Sequence, residues 1–222
     1  KEAFHVASTG RPGPVLVDIP SDIQMQETEF DYPEKVRMRG YNPTYNGHPG
    51  QIKRAAKAIS ESKKPILYVG GGAISYAAAD EVYKLATNND IPVTMTLLGL
   101  GAFPMTHSLA LGMLGMHGTA YANHAIMDSD LIIAVGARFD DRVTGKLDAF
   151  APHASVIHID IDPASVSKTV DVDIPIVGDA AIVLKQLNKM VKKPDTKEWL
   201  NTIDGWKKTY PMKYKDDEKL RP

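Results

Sequence analysis

The chain has 222 residues, 43% of them hydrophobic, with 26 Lys plus Arg against 27 Asp plus Glu, enough to build one large domain with flanking pieces. The balanced charge offers no net field to draw in nucleic acid or an anionic membrane, and no run approaches the roughly 20 apolar residues that span a bilayer. Cysteine is absent, which excludes disulfides, thiol nucleophiles and cysteine-ligated zinc or iron–sulfur sites and fits a reducing compartment.

The chain begins KEAFHVASTG, which reads as the last turns of a helix over 1–8. Val15 to Ile19 then reads as an apolar strand led in by the Gly-Arg-Pro-Gly-Pro turn. From Ser21 to Gly50 the composition turns polar, with Pro33, Gly40, Pro43, Gly47 and Pro49 scattered along it, as in a linker crossing a surface. Both ends are expected to border adjoining domains.

Between His48 and Lys193 strand and helix patterns alternate, which predicts a doubly wound α/β domain with a mainly parallel sheet and helices on both faces. Ile52, Ala55, Ala56 and Ile59 fall at helical spacing. Strands are expected at Ile66 to Val69, Pro92 to Thr96, Leu131 to Val135, Val156 to Ile161 and Ile174 to Val177, with helices over 77–87 and 179–191. Near the far end Trp199, Ile203 and Trp206 predict an amphipathic helix.

Ligands of such sheets bind past the carboxyl ends of the strands, and those positions carry the chemistry here. After Leu131 to Val135 comes GARFDDRVTG: Gly136 permits a close turn, Arg138 and Arg142 can fork onto phosphate oxygens, and Asp140 and Asp141 can orient them or accept from a hydroxyl. The same string also reads as a solvated loop laced by ion pairs. After Val69 comes Gly70-Gly71-Gly72-Ala73, either a phosphate-receiving strand-to-helix turn or simply a tight turn. LLGLGAFP after Thr96 and GMLGMHGT after Leu111 offer glycine with flexible apolar side chains, suited to a flat aromatic ligand or to filling core. HIDID places Asp160 and Asp162 where an acid commonly accepts from ribose, or where a helix starts, and Asp179 is a candidate N-cap. Together these loops predict one crevice for a long, dinucleotide-sized ligand. The histidines lack zinc spacing, with His158 read as structural in mid-strand. There is no GxSxG elbow, and Ser129 beside Asp130 with His124 nearby makes no triad.

The order GRPGPVLVDIP, YVGGG, TLLGLGAFP, GMLGMHGT, VGARFDDRVTG and HIDIDP closely resembles the central domain of the catalytic large subunit of acetohydroxyacid synthases, also called acetolactate synthases, over nearly the whole chain. The resemblance implies a Rossmann-like central domain of a thiamine diphosphate enzyme. It would place the end of a preceding pyrimidine-binding domain at 1–22, a linker at 23–50, the FAD-binding domain at 51–193, and a linker plus the start of a thiamine diphosphate-binding domain at 194–222. It implies a transferase that decarboxylates pyruvate and adds the two-carbon unit to pyruvate or 2-ketobutyrate in branched-chain amino-acid biosynthesis, with thiamine diphosphate, Mg²⁺ and an FAD that does no net redox work.

Carried over position by position, the resemblance assigns flavin contacts to Arg11, to Gly70, Gly71 and Gly72, and to Thr96, Leu97 and Leu98. It continues with Leu114, Gly115, Met116 and His117, then Gly136, Ala137, Arg138, Asp140, Arg142 and Val143, and ends with Asp160, Ile161, Gly178, Asp179 and Ala180. Arg138 and the glycines suit the diphosphate and ribityl region, and the Asp160 and Asp179 loops suit the adenosine end. It further implies a cytoplasmic enzyme, or an organellar one in a eukaryote, built as a homodimer or larger and able to carry a regulatory small subunit.

The chain has no Gly-Asp-Gly of the kind that holds Mg²⁺ and the diphosphate of thiamine in these enzymes. The glutamate that activates the thiamine ring belongs to the preceding domain, so no catalytic or metal residue is expected here, and this stretch alone is expected to be inactive. Ser21 stands where the family often has lysine. The rivals are a pyruvate oxidase, a catabolic acetolactate synthase without flavin, an NAD-binding domain of sirtuin or transhydrogenase type, and a stand-alone dinucleotide-binding or scaffold module.

Overall fold

A computed structural model describes residues 1–213. It begins with α1 (Glu2–Ser8) and the single turn α2 (Ser21–Gln24). Between them Val15 to Ile19 forms no strand. The segment pairs with no strand among the described residues, and Leu16 is 92% exposed. An apolar stretch forms a strand only with a ladder partner and a face to bury, and among the described residues this one has neither.

The main body opens with α3 (Pro49–Glu61), started by proline in its first turn and burying Ile52, Ala55, Ala56 and Ile59. It continues through β1 (Pro65–Val69), α4 (Tyr76–Asn89), β2 (Val93–Met95), β3 (Ala110–Met113), α5 (Ala120–Asp128) and β4 (Leu131–Val135). After the short α6 (Asp141–Thr144) come β5 (Ser155–Asp160), β6 (Ile174–Val177), α7 (Ala180–Leu187) and α8 (Lys197–Thr209). The strands form one parallel sheet in the order β3-β2-β1-β4-β5-β6.

Strand periodicity divides the core in two. Leu67 and Val69, Ile133 and Val135, and Ile157 and Ile159 face α3, α4 and α7, whereas Ile66 and Tyr68, Ile132 and Ala134, and Val156 face α5 and α8. Trp199 and Ile203 of α8 are buried in that second layer, and the Trp199 indole donates to the Pro65 carbonyl at 3.0 Å. The expected doubly wound fold is therefore present, with α5 and β3 added to the elements read from sequence. Both were hidden by their neighbours. Gly112, at φ +76°, breaks the apolar run of β3, and α5 is only 9 residues long.

The order reverses between β1 and β4: the chain leaves β1 towards β2 and β3, then returns to lay β4 on the other side. Such a reversal opens a crevice at the carboxyl edge.

Candidate functional site

At that reversal the loops after β1 and β4 touch backbone to backbone. The Gly70 N–H donates to the Val135 carbonyl at 2.9 Å and the Gly72 N–H to the Gly136 carbonyl at 3.0 Å. A Cβ on Gly70 would lie 2.3 Å from the Gly136 oxygen, and one on Gly136, at φ +55°, 2.6 Å from the Gly72 Cα. The triple glycine thus serves first to let two loops meet. Nor does it deliver a bare helix end: after a 3₁₀ turn at Gly71–Ala73, Ser75 Oγ accepts from the Ala78 N–H and caps α4.

The loop from Ala137 to Asp140 alternates its side chains. Phe139 turns inward among the rings of Tyr68, His158 and Phe150, at 5.4, 5.6 and 6.0 Å between centroids, while Arg138 and Asp140 turn outward and pair at 3.5 Å. Both are more than half exposed, so their pair contributes only about 0–1 kcal/mol to stability. Beneath them Tyr68 Oη donates to the Arg138 carbonyl at 3.0 Å, and His158 Nε2 lies 2.8 Å from the Ala137 carbonyl. A carbonyl only accepts, so Nε2 carries the proton. Burial lowers the pKa of His158, against the opposing pull of Asp160 and of the Ala137 carbonyl. Burial, reinforced by the Asp140 charge and offset by Arg138, pushes the Tyr68 phenol far above its usual range. Both groups are neutral donors at pH 7.

Beside this loop lies a cavity of about 120 Å³, lined by Arg11, Arg138, Asp140, Asp162, Ser165 and Lys168 among others. Arg11 reaches it from 151 residues away and pairs with Asp162 at 3.3 Å. Burial raises the Asp162 pKa, but hydrogen bonds from the Ala164 N–H, Arg11 and the Ser165 hydroxyl outweigh it and hold the carboxyl below its ordinary value. Ser167 sits at φ +54° in the loop that carries Ser165 and Lys168, a conformation non-glycine residues adopt sparingly and often at sites of function. A wider groove of about 790 Å³ lies outside β6, against Thr44, His48, Gln51, Arg54, Pro175 and Val177. Its lining contains none of the candidate ligand residues of the strand-end loops.

The remaining strand-end loops join the same rim. Thr96 Oγ1 accepts from the Gly99 N–H at 3.0 Å, and the turn it caps leaves Leu97 and Leu98 69% and 73% exposed. Leu98 lies over Gly71. The Met116 N–H donates to the Arg142 carbonyl at 2.9 Å. A Cβ on Gly115 would lie 2.5 Å from that carbonyl oxygen, so the β3 loop grips α6. Met116 and His117 are exposed, whereas Leu114 is core. Leu114, Ala137 and Ala180 bury their side chains and could face a ligand only through backbone, while Arg142 is exposed and Val143 and Ile161 are half-buried. The Gly178 N–H donates to the Asp160 carbonyl. Asp179 caps α7 by accepting from the Ile182 N–H at 3.0 Å, the N-cap reading, and Asp160 accepts from the Asp162 N–H at 2.8 Å.

The sequence pattern marks none of Tyr68, Ser165 and Lys168 as a site residue and marks His158 only as structural. The available signal was two polar-tipped residues, Tyr68 and His158, on one face of otherwise apolar strands.

The fold is that of a Rossmann-like, all-parallel α/β domain. Residues 52–187 match the family model for the thiamine pyrophosphate enzyme, central domain, and the chain belongs to that family. It is 48% identical over 229 residues to the acetolactate synthase large subunit of Buchnera aphidicola subsp. Schizaphis graminum, covering 100% of this chain and 40% of that protein. It is 52% identical over 215 residues to the acetolactate synthase large subunit of Haemophilus influenzae, covering 93% and 38%. With the isozyme 3 large subunit of Escherichia coli K12 it shares 48% over 232 residues, covering 100% and 40%. The chain thus spans well under half the length of these curated relatives. No helix among the described residues is long and apolar enough to cross a membrane.

Proposed function

We propose that this chain is the FAD-binding central part of an acetolactate synthase large subunit, in which pyruvate is decarboxylated and its two-carbon unit joined to pyruvate or 2-ketobutyrate. The observation that carries the reading is the rim itself. Apolar Leu97, Leu98 and Met116 stand out in solvent on one side, and a cavity holding Arg11, Arg138 and Lys168 lies on the other. Exposed apolar surface rimmed by convergent cations suits a ligand with a flat aromatic end and a polyanionic stem. FAD, when bound, supplies such a plate and stem to the neighbouring active site, and no electron transfer is assigned to it.

In this reading Leu97, Leu98 and Met116 pack on the ring, and Arg138 and Arg11 take the diphosphate through charge-assisted hydrogen bonds. Asp179 uses one oxygen in a backbone hydrogen bond, leaving the other for an adenosine hydroxyl, whereas Asp160 is buried, with one oxygen on the Asp162 N–H and the other 3.8 Å from His158 Nε2. Gly70 to Gly72 and Gly136 hold the two loops close enough to keep the rim continuous. Residues 51–193 form the binding domain, with 1–22 closing a preceding pyrimidine-binding domain and 23–50 as linker. Residues 194–222 lead into a thiamine diphosphate-binding domain, with α8 packed back on the sheet and 214–222 outside the described residues. Thiamine diphosphate and Mg²⁺ are assigned in this reading to other segments of the polypeptide, because the Gly-Asp-Gly that holds them in these enzymes does not occur in this sequence. The parent is proposed to be a cytoplasmic homodimer or larger assembly, able to carry a regulatory small subunit.

The test is a titration with FAD, NAD and ADP, following flavin fluorescence and thermal unfolding. FAD at a hundredfold over its dissociation constant is expected to add roughly 2.7 kcal/mol. For a chain of this size that raises Tm by about 5–10 °C. Stabilisation by NAD but not by FAD or ADP would overturn the reading.

A further inference from the structure

Resting on the FAD reading, we infer that His158 and Tyr68 are positioning residues for the cofactor. They clamp successive carbonyls of the Ala137–Asp140 loop from below, so that Arg138 and Asp140 stand fixed towards the ligand. Neither side chain reaches the rim. His158 is fully buried, and Tyr68 is among the largest fully buried side chains.

Three observations converge on the clamp. Two donors from two strands, β1 and β5, take adjacent acceptors, the carbonyls of Arg138 and Ala137 at 3.0 and 2.8 Å. Phe139, between the outward-facing pair, is set into a box of Tyr68, His158 and Phe150 rings. Three consecutive residues of an otherwise irregular loop are therefore fixed, two by carbonyl and one by ring. The third observation is that His158 is a poor choice for stability alone. Its Nδ1 is buried with no hydrogen-bond partner among the described residues, which is costly, and the adjacent positions Val156, Ile157 and Ile159 are filled by aliphatic side chains. What histidine supplies there, and an aliphatic residue would not, is the Nε2–H, which takes the Ala137 carbonyl at 2.8 Å and has the Asp160 carboxylate farther off at 3.8 Å.

A guanidinium serves an anion well only when its fork is held in place before binding. The exposed Arg138–Asp140 pair has little rigidity of its own, so the clamp supplies it. His158 should therefore influence affinity through Arg138, and its effect should vanish where Arg138 is absent.

The experiment is a double-mutant cycle in the complete polypeptide carrying this chain, with the FAD dissociation constant as readout and urea unfolding beside it. His158→Met fills the space without a donor, and His158→Gln places an amide N–H at the same bond count as Nε2. Loss of the clamp is expected to raise the FAD dissociation constant roughly tenfold for His158→Met. Most of the effect should be restored by Gln, and little should remain in an Arg138→Ala background. Should His158→Met not fold, Tyr68→Phe removes one donor and keeps the ring on Phe139, and the same cycle applies. Additive effects of the two substitutions, or equal losses for Met and Gln, would overturn the clamp while leaving FAD binding intact. A wild-type protein that does not bind FAD removes the functional reading and the clamp with it.

Discussion

Gly70→Ala separates two physical readings of the triple glycine, because they predict opposite signs. Gly70 has φ −110° and ψ −173°, a conformation open to any residue. If glycine were there only for turn flexibility, alanine would stabilise by about 0.4–1 kcal/mol through the unfolded chain. The close approach of the two loops reverses this: the new Cβ would lie 2.3 Å from the Gly136 oxygen, 2.5 Å from the Ala137 Cα and 2.8 Å from its Cβ. Backbone cannot swing aside, so overpacking costs about 1–3 kcal/mol. The two hydrogen bonds joining the loops, Gly70 to Val135 and Gly72 to Gly136, weaken by up to about 1 kcal/mol each. The net expectation is a loss of about 2–3 kcal/mol, read from urea unfolding midpoints at constant slope. Gly40→Ala, where nothing lies within 4 Å, is the control and should stay within about 0.5 kcal/mol. A Gly70→Ala protein as stable as the wild type would refute the reasoning.

Two further predictions concern parts of the molecule away from this contact. The folded-state pKa of Asp162 is depressed, so its charge stabilises the protein above the ordinary aspartate value of 3.8 and that contribution is lost as pH falls through the lower folded value. The stability gap between wild type and Asp162→Asn should therefore be flat near neutral pH and close on acidification below 3.8, and urea midpoints that instead diverge in acid would count against the Arg11–Asp162 pair. Trp199→Ala should cost about 3–5 kcal/mol and Trp199→Phe about 1–3 kcal/mol by leaving the Pro65 carbonyl unpaired. A cost for Trp199→Ala below about 0.5 kcal/mol in the same assay would mean that α8 does not dock on the sheet.

The parallel sheet was legible because its central strands are buried on both faces, so Leu131 to Val135 and Ile66 to Val69 stand out as unbroken apolar runs. The helices flanking them showed through Ile52, Ala55, Ala56 and Ile59, and through Val183, Leu184 and Leu187, at helical spacing. Val15 to Ile19 misled because local apolar content says nothing about whether a ladder partner exists. At the rim, the sequence located the strand-end loops and the caps that Asp179 and Asp162 make within three residues of themselves. It did not show that the glycines after β1 meet another loop before they meet a ligand. The glycine contact spans more than 60 positions, as between Gly70 and Gly136, which no local pattern encodes.

The RFDDR loop makes the same point from its inner side. Its charged residues were conspicuous from the start, but charge exposed to water contributes little to folding and does not explain why the loop holds one shape. That explanation lies in the residues that looked least functional: Phe139, buried between charges, and Tyr68 and His158, buried in strands. They fix the carbonyls on either side of the point where Arg138 leaves the backbone. The order of the strands places the loop at the reversal between β1 and β4, and β1 and β5, the two strands flanking β4, supply the donors that lock it. Fold and site are coupled here through backbone carbonyls, so altering the buried donors should change how Arg138 meets an anion without any change in the charge displayed at the rim.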